Sequence, residues 1–148
     1  MKVEKIEEAV DRALGSNLYC AESVLLAFSE GLGMKSELVP RIASGFCSGL
    51  SLTGGTCGAV NGGIMALGLI FGRDSADEPP EGSYANVREF LERFKGAYGS
   101  CNCKELTGCD LSSEEGRDQY RQKEMWRQCQ GYVKNAVSII AEIATAKA

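Results

Sequence analysis

The sequence contains no histidine among its 148 residues, although it contains seven cysteines. This absence excludes a cysteine–histidine nucleophile pair, the Cys-x-x-Cys-His attachment site of haem, and the common zinc sites that use histidine. Any thiolate in this chain must therefore be stabilised by a helix N-terminus, a neighbouring cation or a metal ion.

The chain also lacks a cluster of basic residues and an apolar run long enough to cross a membrane. Its formal net charge is −4 at pH 7, which argues against nucleic acid or a membrane surface as a partner. The apolar run Cys57–Phe71, which contains no charged residue, is shorter than the about 20 apolar residues that a membrane span needs. The N-terminus is charged and amphipathic and does not resemble a signal peptide. We therefore expect a cytoplasmic protein.

The hydrophobic pattern predicts an all-α fold, because apolar residues recur at helical spacing and no segment alternates as a strand does. The length suits one domain with its own core. We predict a single-domain, compact bundle of about six or seven helices over residues 1–148, around a buried central helix. The predicted helices cover roughly residues 2–14, 18–30, 37–46, 57–71, 82–98, 112–123 and 130–144, with a loop over 45–56 and a linker over 73–81.

The central helix is predicted from Cys57–Phe71, which is apolar on every side and so is expected to be buried. Glycines at positions 58, 62, 63 and 68 weaken it as an isolated helix, so packing must stabilise it. Cys57 falls at or just before its first turn. Unpaired backbone N–H groups and the helix dipole favour negative charge there, and we expect a lowered pKa for this thiol.

The seven cysteines do not form a familiar metal-binding or disulfide pattern. An odd number of thiols in a chain without an export signal argues against a disulfide framework, and both Cys-x-x-Cys knuckles and ferredoxin spacings are absent. Cys47 alone is explained as a small buried hydrophobic residue. Cys57 and Cys129 fall at predicted helix starts. Three more cysteines share a loop-like stretch: Cys101, Cys103 and Cys109.

Four cysteines match positions of a longer pattern: Cys20, Cys57, Cys103 and Cys129. Around the second of them, Ala59 to Gly62 preserves an Ala-x-x-Gly element, whereas Thr56 precedes Cys57 and Gly58 follows it. With these residues the chain resembles, over nearly its whole length, the small bacterial and archaeal redox-active proteins with the C_GCAxxG_C_C pattern. The departure lies in the residues that flank Cys57, because the pattern has glycine before this cysteine and alanine directly after it.

The resemblance implies redox activity or a metal centre. In the first interpretation, the four thiolates bind an iron–sulfur cluster or another metal for electron transfer, and Gly58, Ala59 and Gly62 contact this cofactor. In the second, no cofactor is present, Cys57 attacks a disulfide as a low-pKa thiolate, and Cys103 or another thiol resolves the product. A structural zinc module without a redox role is a third. The partner would be an unidentified redox protein. The sequence leaves open whether the chain forms a homodimer and whether it is an enzyme.

Overall fold

Helices account for most of the computed structural model, which describes residues 1–147. In chain order they are α1 (Val3–Gly15), α2 (Cys20–Gly31), α3 (Cys47–Leu52), α4 (Gly58–Phe71), α5 (Glu81–Tyr98), α6 (Cys103–Thr107), α7 (Glu114–Gln122) and α8 (Trp126–Ala146), with a 3₁₀-helix over Arg41–Phe46. Within the described residues there is no strand, only an isolated antiparallel bridge between Thr56 and Asn102. The predicted all-α fold class is confirmed.

Helix α4 is the central helix, as predicted, and it packs against α2, α5 and α8. Its glycines allow close contact with these neighbours. A Cβ at Gly62 would lie 2.7 Å from the carbonyl oxygen of Ala21, and one at Gly63 would lie 2.6 Å from the ring of Phe90. The residues that weaken α4 in isolation are therefore those that let α2 and α5 approach it.

Large side chains from α4 and from the three helices around it, α2, α5 and α8, form the core. Phe28, Leu67, Phe90, Phe94 and Ile140 are fully buried. Burying a side chain of this size contributes about 1.5–3 kcal/mol relative to leaving it exposed. This core fixes the positions of α2, α4, α5 and α8. It therefore also fixes the starts of α2, α4 and α8, which surround the site described below.

The helix predicted over residues 37–46 is wrong in its first part. The chain adopts turns up to Pro40, and only Arg41–Phe46 is helical, as a 3₁₀-helix. Proline lacks a backbone N–H, and it disfavours a helical conformation for the residue before it, here Val39. The helix therefore begins after the proline rather than before it.

The loop predicted over residues 45–56 contains α3, which is unusual in its handedness. Residues 48–52 all have positive φ, between 55° and 68°, so this segment turns as a left-handed helix. Such a conformation costs about 1–2 kcal/mol per non-glycine residue. Hydrogen bonds hold it: Ser51 Oγ donates to the Gly45 oxygen at 2.8 Å, and the Gly55 nitrogen donates to the Gly49 oxygen at 2.9 Å.

The C-terminal part of the chain differs from the prediction at two helix boundaries. Helix α8 begins at Trp126 rather than near residue 130, so Cys129 lies inside its first turns. The loop-like stretch of cysteines contains the short helix α6, which begins at Cys103. Helix α7 does begin after Ser113, as predicted, and Ser113 Oγ accepts a hydrogen bond from the Gly116 nitrogen at 2.9 Å. Among residues 1–147, no helix has the length and apolar character that a membrane crossing requires.

Candidate functional site

One cavity of about 860 Å³ collects most of the cysteines of this protein. The thiols on its wall are Cys20, Cys47, Cys57, Cys103 and Cys129. The cavity lies where α2, α4, α6 and α8 begin, and α3 and α7 complete its wall. Folding therefore brings together the four cysteines predicted from the sequence pattern, although they are up to 109 positions apart in the chain, and it adds a fifth.

Cys20 is the first residue of α2, and it lies against the start of α4. A Cβ at Gly58 would lie 2.5 Å from Cys20 Sγ and 3.1 Å from Cys20 Cβ. Only glycine at position 58 lets the sulfur approach so closely. Gly58 itself lines the cavity, so this predicted cofactor contact lies at the site.

A short piece of antiparallel backbone joins the segment that ends at Cys57 to the segment that leads into Cys103. The Cys57 nitrogen donates to the Cys101 oxygen at 2.8 Å, and the Cys103 nitrogen donates to the Gly55 oxygen at 2.8 Å. Asn102 Nδ2 donates to the Gly54 oxygen at 2.8 Å. Cys57 occupies the N-cap position of α4, and Cys103 is the first residue of α6. Backbone hydrogen bonds thus set the separation of these two cysteines.

Cys129 approaches the cavity from α8 and has a polar partner on α7. The hydroxyl of Tyr120 donates a hydrogen bond to Cys129 Sγ at 3.3 Å. Both side chains are half-buried and line the cavity. A hydroxyl that donates to sulfur favours the thiolate over the thiol.

Cys47 was predicted to be a buried core residue. It is buried, and it also lines the cavity. Its side chain is 4% exposed and packs with Ala21 and Leu25 of α2. Its sulfur lies 3.6 Å from Glu22 Oε1, to which the thiol can donate. The same thiol can donate to Cys20, with the effect on both pKa values described below. Cys47 therefore forms a pair with Cys20.

Burial raises the pKa of three cavity thiols: to about 12 for Cys57 and Cys103, and to about 11 for Cys129. Negative charge on Cys20 contributes to each increase. At Cys57, two backbone N–H groups from the start of α4 lower the pKa, but burial outweighs them because this side chain is only 6% exposed. The predicted low pKa of Cys57 is therefore wrong for the metal-free protein.

Cys20 is the thiol with a lowered pKa, at about 6. The main cause is the hydrogen bond from the Cys47 thiol, which outweighs the effect of burial. Backbone N–H groups, including that of Ser48 on α3, lower the pKa of Cys20 further. Hydrogen bonding with Cys20 correspondingly raises the pKa of Cys47, since the two sulfurs compete for one proton. This hydrogen bond therefore favours negative charge on Cys20 rather than on Cys47.

The remaining charges around the cavity are positive. Arg117 and Arg121 of α7 line it, whereas no Asp or Glu of the described chain does. Cys20 and Cys57 also lie at the N-termini of α2 and α4, where the helix dipole is positive. This environment favours an occupant or a set of thiolates with net negative charge.

Other residues singled out from the sequence lie away from the cavity wall. Cys101 is half-buried against the main core, and Cys109 is fully buried beside Leu111. Ala59 is fully buried and Gly62 packs against α2, so these two predicted cofactor contacts take part in helix packing instead. Sequence reasoning missed Cys47, Tyr120 and both arginines, because only the folded chain turns α3 and α7 towards the cysteines.

The donor set suits a thiolate-bound group, since four or five soft sulfur ligands and no imidazole surround one cavity. In residues 1–147, no three Cys, Asp or Glu side chains stand close enough to share one metal ion. A single zinc ion, with Zn–S bonds of about 2.3 Å, would require the sulfurs to move together. An iron–sulfur cluster distributes its thiolate ligands over several iron atoms, and so around a larger body.

Comparison with known proteins yields a family model and a relative. The family model described as "Putative redox-active protein (C_GCAxxG_C_C)" matches residues 18–143, a segment that contains all four cysteines of the pattern. An uncharacterized protein of Archaeoglobus fulgidus is 31% identical over 150 residues, which cover 93% of each chain. No solved structure matches the chain.

Proposed function

The chain belongs to the C_GCAxxG_C_C family, described as putative redox-active proteins, and from this premise we propose that it transfers electrons through an iron–sulfur cluster. The proposed ligands are Cys20, Cys57, Cys103 and Cys129. The observation that carries the proposal is that these four cysteines, from the starts of four helices, line one cavity. When bound, such a cluster supplies a redox centre whose potential depends on charge, hydrogen bonding and burial around its sulfurs.

The charges of the cavity support an anionic group of this kind. Four thiolates bring four negative charges, and the N-termini of α2 and α4 offset part of them. Arg117 and Arg121 add positive charge at the wall. A cavity with acidic side chains would instead repel such a ligand set.

The protein's own residues would set the properties of the centre. Cys57 and Cys103 are only 6% and 7% exposed, so the fold keeps water away from their sulfurs. The Tyr120 hydroxyl places a hydrogen bond on Cys129 Sγ. The raised pKa values of Cys57, Cys103 and Cys129 mean that these thiols must release protons when they bind metal, so metal retention should fall at low pH.

We place this activity in the cytoplasm, where cysteines stay reduced, with a redox protein as the partner. The thiols of the chain are unpaired, as this setting requires. Gly58 is the predicted cofactor contact that we keep, because it lines the cavity and lets Cys20 reach the start of α4.

The test is purification without oxygen, followed by iron, zinc and acid-labile sulfide analysis and a visible absorption spectrum. We expect iron, sulfide and charge-transfer absorption. Replacing any one of the four proposed ligands with serine should remove most of the iron. The matched control is Cys101→Ser, because Cys101 is half-buried beside the site but does not line the cavity.

Two outcomes would contradict the cluster, and a third would contradict its proposed ligands. Stoichiometric zinc without iron would indicate a structural zinc module. Absence of any metal after anaerobic purification and reconstitution, with thiols that oxidise and reduce reversibly, would indicate dithiol–disulfide exchange. Equal iron loss in Cys101→Ser and Cys57→Ser would contradict the ligand assignment.

A further inference from the structure

We propose that the cavity also binds a small aromatic carboxylate, whose charged group pairs with Arg117 and whose ring lies against Trp126. Neither residue belongs to the proposed ligand set of the cluster. The inference goes beyond the proposed function, because it uses the part of the cavity wall that offers no sulfur. It does not depend on a bound cluster.

The first support is the apolar character of this part of the wall. Besides the five thiols, the wall carries leucine, valine and tryptophan side chains, which offer no atom to a metal ion. They include Leu14, Leu18, Leu52, Leu111, Trp126 and Val133. The cavity volume of about 860 Å³ falls within the range of about 300–1,000 Å³ for small-molecule sites, which combine an apolar wall with a few polar groups. The wall therefore suits an organic ligand.

Helix α8 presents one continuous face to the cavity, and only one residue of this face is a cysteine. Trp126, Cys129, Gln130 and Val133 all line the cavity. Their spacings of three, four and seven residues from the tryptophan place them on the same side of the helix. At about 1.5 Å per residue, this face extends about 10 Å along the helix axis, which is long enough for a ligand with one or two rings.

Three apolar side chains at the cavity remain accessible to solvent. Tyr19 is 56% exposed, Leu52 is 40% exposed and Trp126 is 45% exposed. The guanidinium carbon of Arg127 lies 5.1 Å from the centroid of the Trp126 ring. An aromatic ring that enters the cavity removes apolar surface of these side chains from water, which favours its binding.

Arg117 supplies a positive charge that no carboxylate of residues 1–147 neutralises. Arg121, the other arginine of the wall, forms an ion pair with Asp118, whereas no ion pair of the described chain includes Arg117. Arg117 is half-buried, and its Nη1 donates to the Leu111 oxygen at 2.9 Å, which fixes the guanidinium. The other N–H groups of this planar guanidinium can still donate, and their arrangement matches the two oxygens of a carboxylate.

The apolar wall and the arginine together define the class of ligand. A small hydrated anion, such as inorganic phosphate, gains nothing from leucine and tryptophan side chains. A neutral ring gains nothing from the guanidinium. A molecule that combines a ring with a carboxylate is complementary to both parts of the wall.

The test measures binding of 2-naphthoate to the full-length protein, purified without oxygen, by isothermal titration calorimetry. Wild type should bind 2-naphthoate about tenfold or more tightly than 2-naphthamide, which has the same rings and no charge. Acetate, which has the charge and no ring, should show no measurable binding. Because Trp126 is the only tryptophan of the chain, its indole N–H gives a single signal in a proton–nitrogen NMR spectrum, and 2-naphthoate should shift this signal.

Two variants separate the role of the arginine from that of the tryptophan. Arg117→Gln should weaken 2-naphthoate binding about tenfold or more and leave 2-naphthamide binding unchanged, because it removes only the partner of the charge. Trp126→Ala should weaken the binding of both ligands to a similar degree. The matched control is Arg88→Gln, which should bind as wild type, because Arg88 is exposed on α5 and this helix contributes no residue to the cavity. Circular dichroism checks that each variant is folded.

The proposal is overturned if wild type does not bind 2-naphthoate, if it binds the carboxylate and the amide equally, or if Arg117→Gln leaves 2-naphthoate binding unchanged. Binding that leaves the Trp126 signal in place would also overturn it, because the ligand would then lie elsewhere. The comparison of the carboxylate with the amide uses wild type alone, so it does not depend on the folding of a variant.

These outcomes are separate from those of the metal experiment. Absence of iron would remove the proposed cluster but leave 2-naphthoate binding measurable. Absence of 2-naphthoate binding would leave the iron and sulfide analysis unaffected.

Discussion

The hydroxyl of Tyr120, on α7, donates a hydrogen bond to the sulfur of Cys129, on α8, at 3.3 Å. No sequence pattern connects these residues, and the donor comes from a helix that is otherwise strongly polar. Burial raises the pKa of Cys129 to about 11, and this hydrogen bond acts in the opposite direction. Tyr120 is therefore a positioning residue that stabilises negative charge on a proposed ligand.

Replacing this tyrosine tests its effect on the redox centre. Tyr120→Phe removes the donor and keeps the ring, so the reduction potential of the loaded protein should fall, because hydrogen bonds to sulfur ligands raise it. In the metal-free protein, Cys129 should become less reactive towards iodoacetamide, as mapped by mass spectrometry. Tyr84→Phe, at an exposed site on α5, is the control. An unchanged potential would show that the hydrogen bond does not act on the centre.

The approach of Cys20 to α4 should tolerate no side chain at position 58. Gly58→Ala places a methyl group 2.5 Å from Cys20 Sγ, so it should destabilise the protein by about 1–3 kcal/mol and reduce metal retention. Gly68→Ala on the same helix is the matched control, since nothing lies within 4 Å of the added Cβ. It should be neutral or stabilising by up to about 1 kcal/mol. Urea unfolding of both variants checks this difference, and equal stabilities would contradict it.

The left-handed segment should depend on glycine at position 49. Gly49 has φ of 64°, and a Cβ there would lie 2.6 Å from Cys103 Cβ, so Gly49→Ala should cost about 1–3 kcal/mol. Gly45→Ala, in the preceding 3₁₀-helix, meets only Ser51 Oγ at 3.8 Å and should be tolerated. Thermal unfolding measures both. A tolerated Gly49→Ala would mean that α3 can move away from Cys103.

The stability of the metal-free, reduced protein should fall in alkaline solution. Burial raises the pKa of Cys57 and Cys103 from the ordinary thiol value of 9.0 to about 12. Between these values the unfolded chain has released protons that the folded chain still binds, so the free energy of unfolding decreases as pH rises from about 9 to about 12.

Urea unfolding at several pH values, under reducing conditions, measures this dependence. Cys57→Ser should show a smaller alkaline decrease than wild type, because serine does not titrate in this range. A wild-type stability that is constant from pH 9 upwards would contradict the burial of these two thiols.

Much of the fold was predictable because it depends on local patterns. Apolar spacing predicted α1, α2 and α5 to within a few residues, the capping serine with Glu115 predicted α7, and the uncharged run predicted the central α4. The predicted secondary structure was wrong where the local sequence is compatible with more than one backbone conformation. Pro40 removed the first part of a predicted helix, and the glycine- and serine-rich segment after Cys47 formed a left-handed turn that no helix signal indicates.

For the site, the sequence by itself determined the chemistry: seven thiols, no imidazole, and four cysteines at the spacing of a redox family. Only the tertiary structure decided which thiols meet and how each is tuned. The pKa of a thiol depends on burial and on its partners, and both arise from distant segments. Thus Cys57, at a helix start, has a raised pKa because it is buried, whereas Cys20 has a lowered one because Cys47, 27 residues away in the chain, folds against it.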